Sequence, residues 1–166
     1  MPNADLIELI QEQWARERPD LASGGFGVVG RLLLLGKLLE RRVSRVLAPL
    51  DLSLWAFDVL ATLRRQGPPY RLTPTELSRA TFLTPGAMTN RVDRLEAAGL
   101  VRREAEPNDR RGVRVVLTKT GLELVDRAIE VRFEEAESAA KTLSSKDGKT
   151  LERLLRQMLA ELNSSP

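Results

Sequence analysis

Two helix starts of the same kind lie close together in this sequence, and they constrain the fold more than any other feature. Thr73-Pro74-Thr75-Glu76 is a capping box with proline at the first helical position. Thr84-Pro85-Gly86 repeats the threonine cap and the proline after a short turn. The pattern predicts a helix-turn-helix whose second helix begins at Thr84 and ends at Ala98-Gly99, with Leu100 folding back onto Leu95 as in a Schellman cap.

The hydrophobic period changes directly after these helices. Residues 101–105 and 113–117 alternate apolar and polar side chains, as expected for two strands, and residues 106–112 form a polar loop between them. The tip of this predicted hairpin carries Asp109, Arg110 and Arg111. A hairpin that follows a helix-turn-helix indicates a winged helix-turn-helix, which we place over residues 53–118.

The head itself is predicted to begin with a helix over residues 53–66, and further helices are predicted on both sides of the head, over residues 4–18, 28–48, 120–142 and 146–163. Residues 28–47 and the last helix carry more apolar surface than a small head can cover, so we expect a second copy of the chain to bury them. Packing within one chain is the alternative. The predicted fold is therefore mainly α with a small β-hairpin wing (α+β), in which residues 1–52 and 119–166 form a helical dimerisation region.

The composition limits the classes of function that the protein can have. Residues 71–118 carry nine basic and six acidic side chains, an excess typical of a surface that neutralises phosphates. The chain contains no Cys and no His, which removes thiol chemistry, the commonest general base and the commonest metal ligand. We therefore expect neither an enzyme nor a metal or cofactor site. Since no apolar run resembles a signal or a membrane span, we expect a cytoplasmic protein with no membrane partner.

The second helix of such a motif enters the major groove of DNA with its N-terminal residues near the bases. Its small polar first turn suits close approach, Arg91 and Arg94 could supply phosphate or guanine contacts, and the wing arginines could reach the minor groove. We predict that double-stranded DNA is bound by Thr73, Thr75, Thr84, Pro85, Gly86, Ala87, Thr89, Asn90, Arg91, Arg94, Asp109, Arg110 and Arg111. The alternative is a winged-helix protein-interaction module without sequence-specific DNA binding.

A glycine-rich segment, Gly25-Phe26-Gly27-Val28-Val29-Gly30, matches the dinucleotide-binding pattern. A helix and a loop precede it, however, and no βαβ unit follows, so the structural context of that motif is missing. We interpret these glycines as a flexible joint between the first two helices.

These segments resemble the MarR family of bacterial regulators. The resemblance depends on residues 77–83, on Asp93-Arg94-Leu95-Glu96-Ala97-Ala98-Gly99-Leu100-Val101, and on Asp109-Arg110-Arg111-Gly112 leading to Leu117-Thr118 and Gly121. It covers residues 54–125 well and the flanking helices in layout only. It implies a homodimer with entwined terminal helices, one winged head per subunit on a pseudo-palindromic DNA site and, for most members, repression.

One branch of that family, the urate-responsive regulators, has an extra N-terminal helix and residues similar to Trp14, Asp58, Arg91 and Arg103. The resemblance implies a small anionic effector, such as urate or a related purine or carboxylate, that releases the DNA. A planar anion can stack on Trp14 and pair with an arginine, and Asp58 could hold Arg91 or Arg103 in its absence. The alternatives are core packing for Trp14, a surface ion pair for Asp58 and DNA contact alone for Arg91.

Overall fold

The computed structural model describes residues 5–81, 83–106 and 109–164, without the side chains of residues 106 and 109–111. The chain divides into two compact units, Met1–Arg45 and Val46–Pro166. The described residues form, in order, α1 (Leu6–Glu17), α2 (Gly24–Leu47), a 3₁₀-helix (Ala48–Leu50), α3 (Leu54–Arg64), β1 (Arg71–Leu72), α4 (Pro74–Ala80), α5 (Pro85–Ala97), β2 (Val101–Glu106), β3 (Asp109–Leu117), α6 (Lys119–Ala140) and α7 (Ser145–Ser164). This architecture confirms the predicted, mainly α fold with a small sheet.

In the first unit, glycines allow α1 and α2 to approach closely. A Cβ added to Gly30 would lie 3.2 Å from the side chain of the buried Ile7, and one added to Gly27 would lie 2.7 Å from the end of the Gln11 side chain. Helix α2 already begins at Gly24, so the prediction that this segment forms a flexible joint was wrong. The segment is helical, and two of its glycines serve packing against α1 rather than bending of the chain.

The core of the second unit lies where α3, α4, α5, α6 and the sheet meet. The largest side chains that are fully buried there are Leu47, Val59, Leu60, Leu63, Leu77, Met88, Val92, Val101, Val115 and Val125. Helix α3 is the centre of this unit because its buried residues occupy most of its circumference. None of the described residues of α7 is buried in the single chain.

The sheet is antiparallel, with strand order β1-β3-β2. Strands β2 and β3 form the predicted hairpin, in which Val101 pairs with Leu117, and both strands extend further into the 106–112 segment than predicted. Strand β1 was not predicted, because its two residues are too few to show an alternating pattern. Its Arg71 pairs with Val116 and thereby attaches the chain before α4 to the base of the wing.

The long helices leave large apolar side chains exposed in the single chain, including Leu33, Phe133 and Leu162.

Within the described ranges, no single helix is long and apolar enough to cross a membrane. Only Gly24–Leu50 and Leu54–Arg64, taken together across their bend, reach that length and composition. The predicted division into a head (53–118) and a dimerisation region (1–52 and 119–166) remains a prediction. Contacts within the second unit place α6 directly against α3.

Candidate nucleic-acid interface

Helix α5 begins and ends with the predicted caps. The Thr84 hydroxyl accepts a hydrogen bond from the Ala87 N–H at 3.4 Å. At the other end Gly99 has a φ of 70°, and the Leu100 N–H donates to the Leu95 carbonyl at 2.9 Å, as in a Schellman motif. These caps fix both ends of the helix and leave its first turn at the protein surface.

One face of α5 is buried and the opposite face is exposed. Met88, Val92 and Leu95 fill the core, which confirms the predicted apolar stripe. The predicted DNA contacts of this helix lie around the rest of its circumference: Thr84, Pro85, Gly86, Thr89, Asn90 and Arg94 are exposed, and Ala87 and Arg91 are half-buried. The exposed face therefore combines a small polar first turn with guanidinium groups further along.

Two threonines among the predicted DNA contacts are also engaged in local hydrogen bonds. Thr73 donates from its backbone N–H and its hydroxyl to the Glu76 carboxylate, at 2.7 and 2.9 Å, and so forms the predicted capping box. The backbone N–H of Thr73 is the main reason that the pKa of Glu76 is lowered. Thr89 donates to the Pro85 carbonyl at 3.1 Å, whereas Thr75 is exposed. Thr73 therefore has a structural role whether or not it contacts DNA.

The wing follows α5 with little intervening chain. Its strands bury Val101, Val115 and Val116 in the core, which anchors the base of the hairpin to the head. The backbone of Asp109, Arg110 and Arg111 belongs to β3, and their side chains lie outside the described part of the structure. Their predicted contacts with DNA therefore stay predictions.

Trp55 is a residue of this surface that the sequence analysis missed. It lies in the first turn of α3, and its ring faces the guanidinium groups of both Arg91 and Arg94. The guanidinium carbons are 5.6 and 5.3 Å from the ring centroid, within the range of a cation–π interaction. The only sequence signal was an aromatic residue three positions before Asp58, on the same side of a helix.

Asp58 is surrounded by positive charge. The pKa of its carboxyl group is raised above its usual value because neighbouring protein partly desolvates it, although its side chain is still reached by solvent. Arg91, Arg132 and Arg65 act in the opposite direction and offset part of this rise. The charge of Arg91 thus acts on Asp58, as do the charges of Arg132 and Arg65, which the sequence analysis did not select. The shared effector site stays a prediction.

Arg103 connects the wing to α5. Its guanidinium group forms ion pairs with Glu96 and with Asp93, the latter at 2.6 Å, and its backbone N–H donates to Glu96 at 2.8 Å. Desolvation lowers the pKa of Arg103, but the hydrogen bonds with Asp93 and Glu96 outweigh it, so that the pKa is raised. Of the two partners predicted for Asp58, Arg91 acts on it through its charge, whereas Arg103 is paired with acidic residues of α5.

Trp14, the fourth predicted effector residue, belongs to the first unit and is 52% exposed. Together with Leu21 and Phe26 it lines an open, mainly apolar cavity of about 380 Å³, to whose lining Arg18 also contributes. The alternative in which Trp14 is a core residue does not fit this exposure in the single chain. An aromatic wall beside an open cavity is suited to stacking with a planar molecule.

A short helix, a turn, a capped second helix with an exposed polar face, and an antiparallel hairpin define a winged helix-turn-helix protein. Residues 50–112 match the sequence profile of the MarR family. The transcriptional regulator PecS of Dickeya dadantii is 37% identical to this chain over 146 residues, which cover 88% of each protein. The chain belongs to the MarR family and is a transcriptional regulator.

Solved structures agree with this assignment. AbsC, a MarR family transcriptional regulator from Streptomyces coelicolor, superimposes with a TM-score of 0.79 at 25% identity, covering 87% of this chain and 98% of AbsC. A mutant MarR from E. coli, complexed with operator DNA, superimposes with a TM-score of 0.73 at 29% identity, covering 94% and 99%. Since PecS and AbsC are named as regulators, the prediction of a regulator rather than an enzyme is confirmed.

Proposed function

We propose that the protein binds a pseudo-palindromic site on double-stranded DNA as a homodimer, with α5 in the major groove. The observation that carries this proposal is the division of α5 into a buried stripe and an exposed face with Thr84, Gly86, Asn90 and Arg94. Small residues at the start of the helix permit close approach to the base edges, and the hydroxyl, amide and guanidinium groups can bond to bases or phosphates. Arg110 and Arg111 of the wing would enter the adjacent minor groove.

The dimer is supported by the apolar side chains that the second unit leaves exposed. Leu151, Leu154, Leu159 and Leu162 all lie on α7, none of whose described residues is buried. A leucine-rich helix that its own chain leaves uncovered is normally buried by a partner. A second copy would also supply the second head that a pseudo-palindromic site requires.

The proposed response is release from DNA, and hence relief of repression in the cytoplasm, when a small anion binds. The anion, urate or a related purine or carboxylate, would involve Trp14, Asp58, Arg91 and Arg103, as in the urate-responsive branch. The electrostatics around Asp58 support this assignment, because three arginines near one partly desolvated carboxyl group also attract a second anion. Since Arg91 lies on α5, an anion that competes with Asp58 for Arg91 would alter the DNA-reading helix. A coupling free energy of about 1–3 kcal/mol between effector binding and DNA binding would lower DNA affinity by roughly 5- to 150-fold.

The DNA-binding part is tested with a site selected by the protein from a random duplex library. We expect mobility-shift affinity to fall steeply with salt, and Arg111→Ala to reduce the slope of log K against log salt by about one. Arg153→Ala, an exposed charge on α7, is the matched control and should leave the slope unchanged. Failure to enrich any sequence, with weak salt dependence, would instead indicate a protein-interaction module.

The effector part is tested on the same protein–DNA complex. Urate, xanthine, trans-aconitate and guanosine tetraphosphate are titrated, and at least one should release the DNA from the wild type but not from the Asp58→Asn or Arg103→Ala variants. If none of them releases DNA, and Asp58→Asn changes neither DNA affinity nor stability, the effector site is wrong while the DNA-binding proposal stands.

A further inference from the structure

Two guanidinium groups from successive turns of α5 share one aromatic ring. Arg91 and Arg94 are three positions apart and therefore project from the same side of the helix. Trp55 of α3 faces both, with its ring centroid 5.6 Å from the guanidinium carbon of Arg91 and 5.3 Å from that of Arg94. The negative face of the indole ring is attracted to both cations and compensates for part of their mutual repulsion.

The two arginines extend from the exposed side of a helix whose opposite face is fixed in the core. Three other residues of the same helix, Met88, Val92 and Leu95, are held in the core. Trp55 is itself half-buried on α3, next to the buried Ala56. A long arginine side chain that projects freely from a helix loses rotamer freedom when it binds a phosphate, whereas one that already rests on a fixed ring loses less.

We propose that Trp55 is a positioning residue for DNA binding, which holds the guanidinium groups of Arg91 and Arg94 in the orientation that meets the DNA. This inference rests on the proposed role of α5 as the DNA-reading helix. Trp55 acts through the two arginines, so it lowers the cost of ordering them and does not itself contact the DNA. A cation–π contact does not use the hydrogen-bond donors of a guanidinium group, so those donors can still bond to phosphate or guanine acceptors.

The first test is a mutational cycle with the selected duplex. Trp55→Leu should weaken DNA binding by about 5- to 30-fold, the cost of ordering two arginine side chains that the ring no longer holds, and Trp55→Phe should recover part of the affinity. In a protein that already carries Arg91→Ala and Arg94→Ala, the change Trp55→Leu should cause no further loss. Thermal unfolding of each variant separates loss of affinity from loss of folding.

The second test needs no DNA. In a Trp14→Phe background Trp55 is the single tryptophan, since the sequence contains two. Removing both guanidinium groups by Arg91→Ala and Arg94→Ala should change the emission of Trp55 and raise its quenching by acrylamide, because the ring loses its cover.

The outcomes separate the two proposals. Wild-type protein that selects no DNA would overturn the proposed function together with this role of Trp55. Wild-type protein that binds DNA, with a Trp55→Leu variant of equal affinity or with losses that simply add to those of the arginine variants, would overturn the role of Trp55 alone. Unchanged fluorescence of the double arginine variant would show that the ring does not hold the guanidinium groups.

Discussion

Gly121, in the first turn of α6, lies directly against the backbone of Leu100, the residue that follows the C-terminal cap of α5. A Cβ added to Gly121 would be 1.9 Å from the Leu100 carbonyl oxygen. The contact is reinforced by Thr118, the N-cap of α6, whose hydroxyl donates to the Gly99 carbonyl at 2.7 Å. The end of the proposed DNA-reading helix is thus joined to the start of the helix that leaves the head.

Gly121→Ala should therefore be strongly destabilising. A methyl group that meets backbone cannot be accommodated by rotation of a side chain, so the free energy of unfolding should fall by about 3 kcal/mol. Chemical denaturation measures the loss. Gly148→Ala is the matched control, because a Cβ there meets nothing within 4 Å, and its stability should be unchanged or slightly raised. Equal stabilities of the two variants would contradict the close approach.

The ion pairs of Arg103 should be unequal in their contribution. Glu96 accepts from both the guanidinium group and the backbone N–H of Arg103, whereas Asp93 accepts from the guanidinium group alone and is the more exposed. Glu96→Ala should lower the free energy of unfolding by about 1–2 kcal/mol, and Asp93→Ala by less than about 1 kcal/mol. Denaturation curves of both variants decide the order, and a larger loss for Asp93→Ala would contradict it.

The parts of the structure that the sequence predicted are those controlled by neighbouring residues. The caps at Thr73 and Thr84, the cap at Gly99 and the alternation in the wing are local patterns, and each gave the correct element. The buried stripe of α5 was predictable for the same reason, since helical spacing alone selects it. The segment beginning at Gly24 was misread because glycine favours turns locally, while its packing against another helix depends on distant residues.

Parts of the candidate site depend on contacts between distant segments, and these were not predictable. Nothing in the sequence near Trp55 indicates that Arg91 and Arg94 face its ring. The proximity of Arg132 to Asp58 requires α6 to pack on α3, which no local pattern specifies. The four effector residues were selected by family resemblance, and their assembly into one site remains a proposal.

Arg64 and Asp126 join α3 to α6 through a hydrogen bond of 2.6 Å, and the Arg64 guanidinium group also lies 5.0 Å from the centre of the Tyr70 ring. Arg64→Ala should therefore lower the melting temperature more than Asp126→Ala, and the double variant should resemble Arg64→Ala. High salt should reduce both effects because the pair is partly exposed.

The exposed pair of Glu152 and Arg156 within α7 is the matched control for this comparison. Removing either of its members should leave the melting temperature nearly unchanged, since exposed pairs contribute little. If the α7 variants lose as much as the Arg64 variants, the link between α3 and α6 does not stabilise the head.

Asp58 should make stability depend on pH in the direction opposite to an ordinary paired carboxylate. Its pKa is raised in the folded protein, so the protonated form favours folding; that contribution is complete below about pH 3.8 and is lost as the pH rises through the raised pKa. Asp58→Asn stays neutral and should be more stable than the wild type at pH 7, by less than about 1 kcal/mol because the group is partly solvated, with a smaller difference at pH 3.5.

Glu76→Gln is the control of opposite sign, because the lowered pKa of Glu76 contributes stability above about pH 4.5 that is lost as the pH falls. Urea denaturation of both variants at the two pH values measures these differences. If the free energy of unfolding of the wild type rose relative to that of Asp58→Asn as the pH increased, the desolvation of Asp58 would be contradicted.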